Sequence, residues 1–229
     1  MLTLVDRDIP GRIVELGSGL GNLKAHLPEA IATDLFPNSW LDVACDAYEL
    51  PFRDSSLSHL VLFDVFHHLE APNAFLHEAR RVLGLAGRLI LFEPYIGWSS
   101  FPVYSIGHHE PISWNKPINT SERLPRPREY YAAQGNATRL FFRGEFPAWP
   151  EGWTVFHAEP LACFHYLLSG GYSKPAFYPA SLLKPIQKID RLLSRWPRLF
   201  AGRCLIGLTP NSSASKIRDS PPARQKDHS

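Results

Sequence analysis

Residues 13–21 read Ile-Val-Glu-Leu-Gly-Ser-Gly-Leu-Gly. The β-branched pair Ile13 and Val14 leads into Glu15, after which Gly17, Gly19 and Gly21 alternate with Ser18 and Leu20. A short apolar strand running into glycines and then a helix is how an open α/β sheet makes a crevice for a nucleotide-sized ligand. Glycine reaches positive φ at no steric cost and lets a ligand lie against bare backbone. The spacing narrows the ligand. A dinucleotide fingerprint needs glycine at the first, third and sixth positions of the loop. Counted from Gly17 the sixth position is Asn22, so that pattern fails.

Beyond the glycines, a short helix over Gly19 to Leu27 is expected to stop at Pro28. Ala30 to Asp34 reads as a second strand, ending in an acid 19 residues after Glu15. That is the placement of a carboxylate that accepts hydrogen bonds from ribose hydroxyls. Trp40 to Asp46 reads as a third, short strand, leading into Asp46-Ala47-Tyr48-Glu49-Leu50-Pro51-Phe52. His59 to Asp64 is a fourth strand, apolar through its middle as a parallel strand covered on both faces should be. Its carboxyl end, Phe63-Asp64-Val65-Phe66-His67-His68-Leu69, lies where open α/β sheets bind ligands. Asn73 to Leu83 reads as a helix with Ala74, Leu76, Ala79, Val82 and Leu83 turned inward. Arg88 to Glu93 is a fifth strand, stopped at Pro94.

These elements resemble the class I S-adenosylmethionine (SAM)-dependent methyltransferases, and the stretch from Asp46 to Ser58 is similar to the type 11 methyltransferase domain. Two departures from that pattern are Leu57-Ser58, where the family closes on Phe-Asp, and Ala86, where it carries the first of two glycines. The resemblance implies SAM as cofactor, with Glu15 near its amino-acid end and Gly17, Ser18, Gly19 and Gly21 lining the sulfonium and ribose. It assigns the ribose to Asp34 with Leu35 beside it, and the adenine amino group to Asp46 with the Ala47 backbone. Phe63, closing the fourth strand, completes the cofactor set. A carboxylate suits the adenine amino group because that group is a donor.

The implied fold is α/β and Rossmann-like, a mostly parallel seven-stranded sheet with an antiparallel last strand and a lid inserted after strand five. Trp153 to Glu159 and Arg203 to Thr209 read as the last two strands. The chain is expected to form one domain over 1–210. Its parts are a core at 11–94, a lid and substrate region at 95–152 rich in Trp and Pro, and the closing elements at 153–210. A helix is expected between Glu129 and Phe142, and the polar tail 211–229 is expected to be disordered.

At 229 residues the chain suits one α/β domain with a lid. The three cysteines, Cys45, Cys163 and Cys204, are dispersed and odd in number, which reads as reduced thiols of a cytoplasmic protein, with no metal site. No apolar signal segment opens the sequence, and no run approaches the roughly 18 apolar residues that span a bilayer. The net charge of +2 resides in the tail, so nothing points to nucleic acid as a partner. Between Ser181 and Phe200, apolar residues recur at 182, 186, 189, 193, 196 and 200. Basic residues recur at 184, 188, 191, 195 and 198, about 200° round a helix. Such a segment either packs its apolar face on the sheet or touches an anionic membrane surface.

Methyl transfer is an in-line displacement, much of whose acceleration comes from holding nucleophile and methyl in near-attack geometry. A general base is needed only where the acceptor must lose a proton. The candidates are His67 and His68 after the fourth strand and His109 in the lid, histidine having the right ordinary pKa. An apolar, aromatic lid suits a small-molecule or lipid-linked acceptor. The competing readings are a non-catalytic SAM-fold binding or scaffold protein, and a nicotinamide oxidoreductase, which Asn22 disfavours.

Overall fold

The computed structural model describes residues 1–19, 21–107, 110–121, 130–146, 149–169 and 175–212. Seven strands form one sheet: β1 (Arg12–Leu16), β2 (Ile31–Asp34), β3 (Val43–Ala44), β4 (Leu57–Phe63), β5 (Arg88–Pro94), β6 (Trp153–Ala162) and β7 (Ala201–Pro210). Their order is β3-β2-β1-β4-β5-β7-β6. Pairing is parallel from β3 through β5, while β7 runs antiparallel to both β5 and β6. The expected mixed sheet is therefore present. Its reversed strand is wedged between β5 and β6, and β6 and β7 are both longer than the sequence suggested.

Alternation along the strands splits the core in two, as a side-chain period of two dictates. Val14, Leu60, Leu62, Leu89 and Leu91 face helix α1 (Pro72–Leu83), and Ile13, Val61, Ile90 and Leu205 face the other way. Helix α1 buries Phe75, Leu76, Ala79, Val82 and Leu83, so Phe75 takes the inward place expected of Ala74, which is half-buried. Gly84, at φ 62°, ends the helix, its N–H donating to the Arg80 carbonyl.

The helix expected after β1 does not form. Gly17, Gly19 and Gly21 take φ of 66°, 50° and 74°, left-handed values that hold off any helix until Asn22. Only the 3₁₀ turn Asn22–Ala25 follows. The few residues left before Pro28 are too short a stretch to offset α-helix nucleation. The third strand is likewise only Val43–Ala44, with Trp40 in the turn before it.

After β5 come a short helix α2 (Ser100–Pro102), a π-helical turn (Val103–Gly107) and helix α3 (Asn136–Phe142). Helix α3 starts later than expected, and Glu129 lies outside the described residues. The residues before it run along the turn that follows β4, where the Ala133 N–H donates to the His67 carbonyl at 2.9 Å. Helices α4 (Phe164–Leu167), α5 (Leu183–Leu193) and α6 (Pro197–Phe200) lie between β6 and β7. The helix expected over 181–200 is thus broken by Pro197, which opens α6. Its apolar face is split: Leu183, Ile186 and Leu193 are half-buried, Ile189 and Leu192 are exposed, and the one fully buried residue of α5 is Asp190. Among the described residues no helix is long and apolar enough to cross a membrane. The tail beyond 212 lies outside the described residues.

Candidate functional site

The carboxyl ends of β1, β2 and β4 meet around the glycine loop. Ser18 ties that loop to β2: its N–H donates to the Thr33 carbonyl at 2.8 Å, and its hydroxyl accepts the Thr33 N–H at 3.0 Å. Gly17 sits against the turn after β4, where an added Cβ would lie 2.3 Å from Val65 Cγ2. At Gly19 an added Cβ would meet nothing within 4 Å, so this backbone faces open space. Asp34 Oδ2 accepts the Gly19 N–H at 3.1 Å, and Trp40, read in the sequence only as the start of the third strand, donates its indole N–H to the Gly19 carbonyl at 2.7 Å. The loop is held from both sides. Leu35, Phe36 and Trp40 are all exposed and form an apolar wall beside Asp34.

Glu15 lies beneath the loop, 4% exposed, and its Oε2 has no hydrogen-bond partner among the described residues. Burial raises its carboxyl to about 7, with Ser18 pulling partly back. A buried acid with a vacant oxygen is what a cation-bearing ligand would satisfy. SAM carries an ammonium and a sulfonium, and Glu15, the open backbone at Gly19 and the Asp34 carboxylate fit it. Asp46 closes the β3 side, its Oδ1 accepting the Tyr48 N–H at 3.0 Å, with Ala47 half-buried beside it. The Phe63 ring stacks on Phe92 at 5.0 Å between centroids and lies under the Arg203 guanidinium, so its position is set by packing.

Beside this crevice lies a buried ionic cluster that the sequence did not reveal. Glu93, fully buried at the end of β5, accepts N–H groups from Val65 at 2.9 Å and Phe66 at 2.7 Å. It thereby clamps the 3₁₀ turn Phe66–His68. Burial opposes its ionisation, yet the His67 cation beside it and these N–H groups hold its carboxyl below the usual range. His67 Nδ1 is 2.7 Å from Glu93, and its Nε2 is 3.3 Å from Glu110. Burial pulls the ring's pKa down, but Glu93 and Glu110 outweigh it and raise it to about 9. Both ring nitrogens of His67 thus face carboxylates, an arrangement that favours the protonated ring.

His68 is half-buried, its Nδ1 3.0 Å from the Tyr131 carbonyl and its Nε2 3.5 Å from Glu110. Glu110 also accepts from Tyr130 at 2.8 Å and Gln134 at 2.9 Å, and the His67 bond holds its carboxyl well below the usual range. His109 lies outside the described residues. On the far side of Glu93, Arg203 of β7 is fully buried and pairs with Asp64 at 2.5 Å, and its guanidinium lies over the rings of Phe63, Phe92 and Tyr166. Asp64 adopts a left-handed φ of 58° there, so this pair fixes where β4 ends.

A cavity of about 380 Å³ opens between Phe101, Tyr104 and Ser105 on one side and Glu110, Ile112 and Trp114 on the other. Glu110 joins it to the histidine turn.

The strand order, with β7 antiparallel between β5 and β6, is the Rossmann-like seven-stranded α/β sheet that the sequence resemblance implies. Residues 14–91 match the family model described as a methyltransferase domain. Among curated proteins no relative matches. Among solved structures, the complex between the Haloferax volcanii Trm112 methyltransferase activator and a candidate methyltransferase is similar at 16% identity, over 92% of this chain and 87% of that one, with a TM-score of 0.48. A SAM-dependent methyltransferase from Mesorhizobium loti is similar at 13% identity, over 91% and 94%, with a TM-score of 0.47. A geranyl diphosphate C-methyltransferase from Streptomyces coelicolor is similar at 13%, over 87% and 71%, with a TM-score of 0.48.

Proposed function

We propose that the chain binds SAM across the carboxyl ends of β1, β2 and β3 and methylates a small molecule with an apolar or aromatic body. The observation that carries this is the pairing of a buried, partly unsatisfied Glu15 with an open glycine backbone at Gly19. When bound, SAM supplies an electrophilic methyl group on a sulfonium. Glu15 offsets the cofactor's positive charge, Asp34 takes the ribose hydroxyls, and Asp46 with the Ala47 N–H takes the adenine edge. Residues 11–94 then serve as the cofactor core, 95–152 as the acceptor side, and 153–210 as the completion of the sheet.

The cavity bounded by Phe101, Tyr104, Glu110 and Trp114 is the acceptor site in this reading. Its aromatic walls hold a planar or apolar body, and Glu110 gives it one polar edge. His67, locked between two carboxylates, is a positioning residue that holds the turn after β4 against Glu93 and Glu110. His68 is the residue placed to take a proton from acceptors that must lose one, because it is half-buried where His67 is fully buried. For other acceptors, orientation alone carries the reaction.

Calorimetric titration with SAM, S-adenosylhomocysteine and NAD tests the donor side. Binding of the first two and not of NAD is expected. Absence of SAM binding overturns the reading. SAM binding without turnover over a panel of phenolic, amine and prenylated acceptors would favour a non-catalytic scaffold.

A further inference from the structure

Helix α5 is attached to the protein along the side that carries Asp190 and the half-buried Leu183, Ile186 and Leu193, which leaves Ile189 and Leu192 outside. Asp190, 4% exposed, accepts the N–H groups of Phe164 at 2.9 Å and His165 at 3.1 Å and pairs with the His165 ring, so it caps the start of α4. A carboxylate there satisfies N–H groups that a helix start leaves open. With Asp190 marking the inward direction, 100° per residue places Lys184, Lys188 and Arg191 about 100° to 160° round the helix. Pro185, Ile189 and Leu192 fall at about 200° to 260°. The two rows lie side by side and straddle the outward pole.

Ile189 and Leu192 are 52% and 51% exposed, an uncommon state for the apolar face of a strongly amphipathic helix. Among the described residues no carboxylate pairs with Lys184, Lys188 or Arg191. Beyond the helix end Trp196 continues the apolar row, and Arg195 continues the basic one. The surface extends further. The N–H groups of Trp98 and Ser99 donate to the carbonyls of Arg198 and Leu199 at 3.1 and 2.9 Å, which brings in Trp98, 79% exposed, and the cavity-lining Phe101.

We propose that this face, α5 together with the segment around Trp98, docks on an anionic phospholipid surface. Charge selects the occupant. An apolar row buried at the level of the acyl chains puts the neighbouring cations at the height of the phosphates. A second copy docked face to face would instead bring its own cationic row near this one. The docking does not depend on methyl transfer. Only its consequence rests on the reading above: Phe101 borders both the apolar surface and the cavity, so a bilayer-resident acceptor would enter the cavity from its membrane side.

The test is flotation of the full chain with phosphatidylcholine vesicles, with and without phosphatidylglycerol, at low and high salt. Flotation is expected only with phosphatidylglycerol and should weaken as salt rises. The triple change Lys184→Gln, Lys188→Gln and Arg191→Gln should lower the partition coefficient about a hundredfold, at about fivefold per lost cation. Ile189→Ser with Leu192→Ser should abolish flotation while leaving the thermal midpoint near that of the parent chain. Lipid and salt dependence of the unaltered chain keeps the test decisive if a variant misfolds. No flotation, equal flotation on both lipids, or a dimer in solution that Ile189→Ser dissociates would each overturn the proposal.

Discussion

Glu15→Gln separates the stability of the fold from its cofactor binding, because the two respond to this carboxyl in opposite directions. A carboxyl that ordinarily ionises near 4.5 is held by burial until about 7. The folded chain therefore binds this proton more tightly than the unfolded chain. Stability falls as pH rises from about 4.5 to about 7 and is level above that. At 1.36 kcal/mol per tenfold, the penalty at about pH 8 is about 3 kcal/mol, and the open side of the crevice screens it to about 2 kcal/mol. Glutamine imitates the protonated acid in shape and lacks the charge. Urea denaturation without cofactor should find Glu15→Gln more stable than the parent by about 2 kcal/mol at about pH 8, and close to it near pH 4.5. Binding should move the other way. Affinity of the parent for SAM should rise about tenfold between about pH 6 and pH 8 as Glu15 ionises, while the variant binds weakly with no such slope. Parallel stability curves, or a variant less stable than the parent at about pH 8, would refute the reasoning.

Three further outcomes follow from the same geometry. Gly17→Ala combines a left-handed φ of 66° with a Cβ 2.3 Å from Val65 Cγ2. It should cost about 3 kcal/mol in a denaturation curve, of which a second change, Val65→Ala, recovers about 1 kcal/mol by removing the overlap. Asp34→Ala should weaken SAM about thirtyfold by calorimetry, the loss expected for hydrogen bonds to a charged acceptor, and should move the melting temperature little. His67→Gln leaves Glu93 and Glu110 without the cation between them and should cost about 3 kcal/mol. Because folding raises this imidazole above its usual 6.5 to about 9, its contribution is complete below about pH 6.5 and is lost as pH rises through 9. Denaturation curves of the parent should decline over that window, and those of the variant should not.

The glycine crevice was legible in the sequence because its chemistry is local. Glycines that need positive φ, and acids that close strands, announce themselves by spacing, and Glu15, Gly17, Gly19 and Asp34 are brought together as that spacing implied. The ionic cluster beyond β4 was not legible, because its partners are distant along the chain. His67 meets Glu93 26 residues on and Glu110 43 residues on, and Asp64 meets Arg203 from the reversed strand β7. No periodicity encodes such pairs. A histidine next to a strand end therefore reads as a base, whereas the structure sets it between the carboxylates of Glu93 and Glu110. Helix α5 failed differently. Its 4-3-4 pattern correctly located an apolar face, but periodicity cannot say which face meets the protein. Asp190, the lone acid among its cations, was the available signal. One acid on a basic helix is most readily explained as its inward anchor, and once it points inward, Ile186 and Leu193 flank it while Ile189, Leu192 and the basic row turn outward. Where one residue breaks a helix's charge pattern, its partner should be sought before the apolar face is assigned to the core.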